Sequence, residues 1–199
     1  GVGVISAVRR GSWIDRTVMV GALFGVSVPD FWLALILILF FSLNLGLFPP
    51  SGWGGPIYTV EGFKHIVLPA LVLGLSGAGS LARYTRSSML EVINNDYVRT
   101  ARAKGLRESV VILQHALRTA LPTIVTLLGL SFGRILSGTV IVETVFGWPG
   151  IGRYLISGIN GRDYPVVQAT VLLVAISFVL ANLISDLILV YVDPRIRYD

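Results

Sequence analysis

Hydrophobic residues in this chain occur in long, nearly uncharged runs separated by short polar or glycine- and proline-rich stretches. Several runs reach or exceed the roughly 20 residues that a helix needs to cross the hydrocarbon core of a bilayer. The pattern therefore predicts an all-α, polytopic bundle of four transmembrane helices. The spans are expected at about residues 17–45, 66–88, 119–142 and 166–192.

The first span is longer than a bilayer crossing requires, so it must tilt, kink or protrude. Pro29 lies within it and lacks a backbone donor, which makes it the natural position for a kink. The connections after the first and third spans are rich in turn-forming residues, as is typical of loops on the outer face.

Positive charge is concentrated at three places in the chain. Most of the 16 Lys and Arg residues lie before the first span, between the second and third spans, or at the C-terminal end. Cytoplasmic loops of membrane proteins carry such an excess, which predicts that both ends and the central loop are cytoplasmic. A basic segment between two spans is better explained in this way than as a nucleic-acid site.

Composition excludes several functional classes. With 54% hydrophobic and 14% charged residues and a mean hydropathy of +0.77, the chain is no ordinary soluble enzyme. It has no cysteine and only two histidines, so neither a disulfide framework nor a Cys- or His-built metal centre is expected. The motif G-x-x-x-x-G-K-[ST] is absent from the sequence, and ATP hydrolysis by this chain is therefore not expected.

The central loop, residues 91–118, predicts two short helices. Asn95 or Asp96 can cap the first helix, and Gly105 is a plausible stop. The second helix, near residues 109–117, leads into the third span. On composition alone this loop either sets topology or docks into another protein, and its small residues and glycine tip favour docking.

The string DYVRTARAKGL, followed by HALRTALP, resembles the cytoplasmic coupling loop of binding-protein-dependent ABC importers. The resemblance is strongest to the first permease subunit of the dipeptide, oligopeptide and nickel importers. Arg99, Thr100 and Ala101 stand where the general importer pattern has Glu-Ala-Ala, a departure similar to that branch. Further similar strings, in the family's order, are VPDFWLALILILFFSLNLGLFPPSG, LPALVLG, LARYTRSSMLEVINNDYVRTARAKG and VETVFGWPGIGRYL.

The resemblance implies the type I ABC importer permease fold, truncated at its N-terminus. Residues 1–16 would be the end of a truncated spanning helix and an inner loop, and residues 17–199 the transmembrane permease domain. The family's first spanning helix and most of its second would be missing.

The resemblance also implies a multi-pass transport subunit of the bacterial inner membrane that is not itself an enzyme. Its expected partners are a second homologous permease, two ABC ATPase subunits and an extracytoplasmic solute-binding protein, besides the lipid bilayer; nucleic acid is not expected. ATP and Mg would be bound by the ATPases and no cofactor by this chain. The implied ATPase contact comprises Asp96, Tyr97, Arg99, Thr100, Ala101, Arg102, Ala103, Lys104, Gly105, Leu106 and Arg107.

Three charged residues are candidates for the translocation pathway. Asp30 and Arg134 lie at similar depth within their spans, where an ionisable group needs a partner or water. They either meet a peptide's termini or form an ion pair that holds the bundle together. Glu143 begins an outer segment that is either a gate or a plain interfacial loop.

The resemblance implies peptides as the favoured substrate, with nickel or another small solute as the alternative. A different class, an ion-coupled secondary transporter, would rest on Asp30 beside Pro29. An intramembrane hydrolase is disfavoured, because His65 and His115 lie at a span end and in the inner loop rather than at membrane depth.

Overall fold

The computed structural model describes the backbone of residues 1–192 and the side chains of residues 1–131 and 139–191. Within this part of the chain the regular structure is entirely helical, which confirms the all-α prediction. The helices are α1 Val2–Val8, α2 Trp13–Ser27, α3 Asp30–Leu37, α4 Val60–Ile93, α5 Asp96–Ala103, α6 Glu108–Val110, α7 Arg118–Val145, α8 Ile151–Asn160 and α9 Tyr164–Val192.

Two π-helical segments extend these elements. Ile38–Asn44 continues α3, and Val111–Leu117 joins α6 to α7, so that the chain is helical without interruption from Glu108 to Val145. The second predicted helix of the central loop and the third predicted span are thus parts of one continuous helical stretch.

The first predicted span is broken into two helices at its proline. Helix α2 ends at Ser27, and α3 begins at Asp30 with Pro29 as its extended N-cap residue. The pyrrolidine ring disfavours helical geometry at the preceding residue, Val28, and its nitrogen cannot donate a helical hydrogen bond. The chain therefore interrupts the helix at the position predicted for a kink.

Three helical stretches of the described chain are long and apolar enough to cross a membrane: Val60–Ile93, Glu108–Ser131 and Tyr164–Tyr191. A fourth crossing results if α2 and Asp30–Asn44 are counted as one broken span. Helix α9 is strongly apolar, and none of its most apolar window is buried within this chain. Such a surface matches lipid or other transmembrane helices, as in a multi-pass membrane protein.

The described chain forms two compact units, each with its own core. The first contains Gly1–Val26, Ala78–Ser131 and, at the end of the described chain, residues 181–192. Helix α1 packs closely on α4 there, since a Cβ added at Gly3 would lie only 2.5 Å from the carbonyl oxygen of Ala82. The buried core of this unit comprises Ala7, Met89, Val92, Val98, Ala101, Val111, Ile112, Ala116, Ala120 and Ile124.

The second unit contains Ser27–Gly77 and Phe132–Leu180. Its core is smaller and joins α3, α4 and the C-terminal end of α7. The buried members of this core are Ala34, Leu68, Val72, Val142 and Phe146.

Candidate functional site

The predicted coupling loop contains a short, well-delimited helix. Helix α5 begins at Asp96 after the extended N-cap residue Asn95, whose side chain makes no capping hydrogen bond. It ends before Gly105, which has φ +76°, a left-handed conformation that glycine adopts without a steric penalty. Thr100 Oγ1 donates to the Asp96 carbonyl oxygen at 2.9 Å and satisfies a backbone group within the helix.

One face of α5 is fixed to the core of the first unit. Val98 is fully buried and Ala101 is 6% exposed, and both belong to the cluster that contains Met89 and Ala116. The small size of Ala101 is therefore explained by packing within this chain. Ala103, the other small residue that favoured docking, is exposed.

The opposite side of the loop presents polar and basic groups. Arg99 and Asp96 form only a loose, exposed pair at 3.9 Å, which contributes little to stability. The remaining predicted contact residues that are exposed in this chain are Tyr97, Thr100, Arg102, Ala103, Lys104, Gly105, Leu106 and Arg107.

A salt bridge closes the loop. Arg102 Nη2 donates to Glu108 Oε1 at 2.8 Å, and Arg102 Nε also donates to the same carboxylate. These hydrogen bonds raise the pKa of the Arg102 guanidinium above its ordinary value. The bridge connects α5 to the start of α6 across Gly105, so the loop is a compact projection.

Asp30 lies in the first turn of α3 and is partly buried. Its carboxylate has no hydrogen-bond or ion-pair partner among the described residues. A carboxylate in the first helical turn is favoured by the helix dipole. The side chain of Arg134 lies outside the described residues, so the predicted encounter of Asp30 with Arg134 stays a prediction.

Glu143 contacts the start of helix α8. Its carboxylate accepts a hydrogen bond from the backbone N–H of Arg153 at 2.8 Å, near the N-terminus of that helix. Arg153 Nη1 in turn donates to the Gly147 carbonyl oxygen at 2.7 Å. The segment after α7 is thus a folded turn and helix in which Glu143 satisfies a backbone donor left free at the helix end.

A buried ion pair that the sequence reading did not single out lies in the first unit. Asp15, in α2, is 4% exposed and accepts hydrogen bonds from Ser6 Oγ, the Gly11 backbone N–H and the Arg86 guanidinium. Arg86 comes from α4. The sequence signal for this pair is an acidic residue between Arg10 and Arg16. The spacing of residues along the chain does not identify Arg86 as its partner.

Nearly the whole chain matches a family of transport proteins. Residues 1–198 match the family described as binding-protein-dependent transport system inner membrane component. The chain belongs to this family. Its members are transport permeases, which agrees with the resemblance carried by the DYVRTARAKGL segment and with the apolar helices.

Several curated relatives are similar over nearly all of this chain. It is 46% identical over 197 residues to the glutathione transport system permease protein of Pectobacterium atrosepticum, covering 99% of this chain and 62% of the relative. It is 45% identical over an alignment of 217 positions to the dipeptide transport system permease protein of Alkalihalophilus pseudofirmus. This alignment covers 98% of this chain and 65% of the relative. The glutathione permease of Escherichia coli K12 is 45% identical over 196 residues, covering 98% and 62%. The chain spans less than two thirds of the length of these relatives.

Proposed function

We propose that this chain is a permease subunit of an ATP-driven importer of small peptides. It works with a second homologous permease, two ABC ATPase subunits and an extracytoplasmic solute-binding protein. Family membership supports this assignment, and the names of the similar permeases, which refer to glutathione and dipeptides, favour peptide over nickel. ATP and Mg bind to the ATPase partners, and this chain binds no cofactor.

The coupling part of the proposal rests on the way in which helix α5 packs against the rest of the chain. Val98 and Ala101 fix the helix to a core shared with α1, α4 and the Val111–Leu117 segment, while its other face is exposed and basic. A helix fixed on one side can pass a displacement to the spanning helices that share its core. The exposed residues of the loop, from Asp96 to Arg107, then receive the ATPase.

The same proposal sets the orientation of the chain. Loop residues 91–118 and both ends face the cytoplasm, as the distribution of Lys and Arg predicts. The spanning part, residues 17–199, forms the translocation pathway with the second permease. Asp30, Arg134 and Glu143 are proposed as charged groups along it.

Site-directed crosslinking tests the coupling contact. The sequence contains no cysteine, so a single cysteine defines the reaction site within it. Thr100→Cys and Arg107→Cys are expected to crosslink to an ATPase subunit in native membranes, with a yield that changes on addition of ATP. Tyr58→Cys, at a position 87% exposed in a predicted outer connection, is the matched control and should give no such product. Failure of both loop variants to capture an ATPase contradicts the proposal.

Uptake measurements test the energy source and the substrate. Proteoliposomes containing the full chain and its partners should accumulate labelled dipeptide or glutathione only with ATP and the solute-binding protein. Uptake should persist when an uncoupler abolishes the ion gradient. Loss of uptake on uncoupling, with ATP hydrolysis intact, would instead indicate ion-coupled transport.

A further inference from the structure

The turn between α1 and α2 presents unpaired positive charge at the surface. Arg9, Arg10 and Arg16 are exposed, and none of their guanidinium groups has a hydrogen-bond or ion-pair partner among the described residues. Trp13, the first residue of α2, is 73% exposed. Arginine and tryptophan side by side at the end of an apolar segment are typical of the membrane–water interface.

Two carboxylates of the described part of the chain, Asp15 and Glu108, are bonded to other arginines. Asp15 lies between Arg10 and Arg16 in sequence, but it is buried and bonded to Arg86 of α4. Glu108 is bonded to Arg102 of α5. Among the residues that the structure describes, no carboxylate pairs with Arg9, Arg10 or Arg16, so these arginines present positive charge at the surface.

A groove of about 440 Å³ adjoins this turn within the first unit. Its lining includes Val4 and Val8 of α1 and Ile112 and Leu113 of the π-helical segment, so most of its wall is aliphatic. Arg9 and Glu108 also line the groove; because the Glu108 carboxylate is bonded to Arg102, Arg9 supplies the unpaired charge beside the apolar wall. An occupant that satisfies both features must be amphiphilic, with an anionic group and a hydrocarbon portion.

We propose that this groove binds an anionic phospholipid, with its phosphate at Arg9 and part of an acyl chain along the aliphatic wall. Arg10 and Arg16 add positive potential to the same turn. A soluble anion would leave the apolar wall uncovered, and a zwitterionic lipid would leave the arginine charges uncompensated. Basic pockets next to spanning helices are suited to acidic lipid headgroups. This lipid site does not depend on the identity of the substrate, and part of its lining belongs to the loop that is proposed to receive the ATPase.

Quenching of Trp13 by brominated lipids tests the site. The full chain, assembled with its partners, is placed in phosphatidylcholine vesicles that carry an equal mole fraction of brominated phosphatidylglycerol or brominated phosphatidylcholine. The Trp13 contribution is the difference between the unaltered protein and Trp13→Phe. Brominated phosphatidylglycerol should quench it several-fold more strongly, since each arginine near an anionic surface changes partitioning by roughly fivefold.

Matched variants separate the specific site from general charge effects. Arg9→Gln/Arg10→Gln/Arg16→Gln should abolish the headgroup preference, and Arg10→Gln/Arg16→Gln should weaken it. The control Lys64→Gln/Arg162→Gln removes one partly buried charge near the start of α4 and one exposed charge between α8 and α9, and should leave the preference unchanged. Leu113→Asn, at a position 58% exposed, should weaken it by making the groove wall polar.

Each variant is compared at an unchanged thermal midpoint, so that unfolding is not mistaken for lost binding. Equal quenching by the two brominated lipids would overturn the proposal, as would full preference in the triple arginine variant. Full preference in Leu113→Asn would overturn the acyl-chain part. If ATPase subunits covered the arginines instead, the assembled complex would show no preference, and the lipid site would be wrong.

Discussion

Asp15 and Arg86, 71 positions apart in the chain, form a two-point ion pair. Arg86 Nε donates to Asp15 Oδ1 at 2.6 Å, and Arg86 Nη2 donates to Asp15 Oδ2 at 2.8 Å. Ser6 Oγ and the Gly11 backbone N–H donate to the same carboxylate. A single side chain of α2 thereby joins α1, the α1–α2 turn and α4, and both of these helices contribute to the core against which α5 packs.

Removing one partner of this pair should destabilise the protein. Asp15→Ala leaves the partly buried Arg86 charge and two further donors without an acceptor, at an expected cost of about 2–4 kcal/mol. The thermal midpoint of the full chain in detergent measures the effect. Asp15→Leu/Arg86→Met removes both charges and should recover most of the loss. An unchanged midpoint in Asp15→Ala would show that the pair does not hold these helices together.

Ala101 and Ala103 provide a matched test of which face of α5 is buried. Ala101→Leu adds volume to a closely packed site and should cost about 1–3 kcal/mol in unfolding free energy. Ala103→Leu makes the same chemical change on the exposed side and should alter stability by less than about 0.5 kcal/mol. Chemical or thermal unfolding of both variants measures the two stability losses. Equal losses would contradict the packing of the Ala101 face of α5 against the core.

Gly105 should tolerate only residues that accept a left-handed backbone. Gly105→Val places a β-branched residue at φ +76° and should cost roughly 1–2 kcal/mol, whereas Gly105→Asn should cost less. Added side-chain volume meets open space within this chain at this position. The difference in unfolding free energy between Gly105→Asn and Gly105→Val therefore reports backbone strain at this position. Equal stability of the two variants would exclude such strain.

The exposed arginines of the coupling loop should govern ATPase association. Arg99→Glu/Arg107→Glu reverses two charges on the exposed side of the loop and should reduce co-purification of ATPase subunits about tenfold or more, without lowering the thermal midpoint. Arg162→Glu, in the connection between α8 and α9, is the control for an exposed charge reversal. Retention of the ATPases by the double variant would place the contact elsewhere.

Glu143 has two proposed roles that respond differently to substitution. If Glu143 caps helix α8, Glu143→Gln should preserve stability because it keeps an acceptor for the Arg153 N–H. Glu143→Ala loses this acceptor and should lower the free energy of unfolding by about 0.5–2 kcal/mol. As a pathway charge, Glu143→Gln should already reduce peptide uptake while the midpoint is kept. Normal uptake by Glu143→Gln would leave only the capping role.

Local features of this protein are determined by the sequence alone. The apolar runs predict an all-helical membrane protein because backbone groups in a bilayer must be satisfied within each helix. Pro29 marks the break between α2 and α3, because its ring restricts the local backbone and removes a hydrogen-bond donor. Gly105 marks the turn after α5, because glycine adopts a left-handed backbone without a steric penalty. The family resemblance rests on such local strings as well.

Only the tertiary structure decided which side chains meet across helices. Hydropathy does not say that Ala101 points into the core and Ala103 away from it, since both are small residues in a polar helix. The choice of Arg86 as partner for Asp15 depends on how α2 and α4 approach, a relationship between residues 71 positions apart. Glu143 likewise contacts α8 because of the turn that follows α7. Periodicity and motif spacing describe neighbours along the chain, whereas these contacts arise from packing between elements.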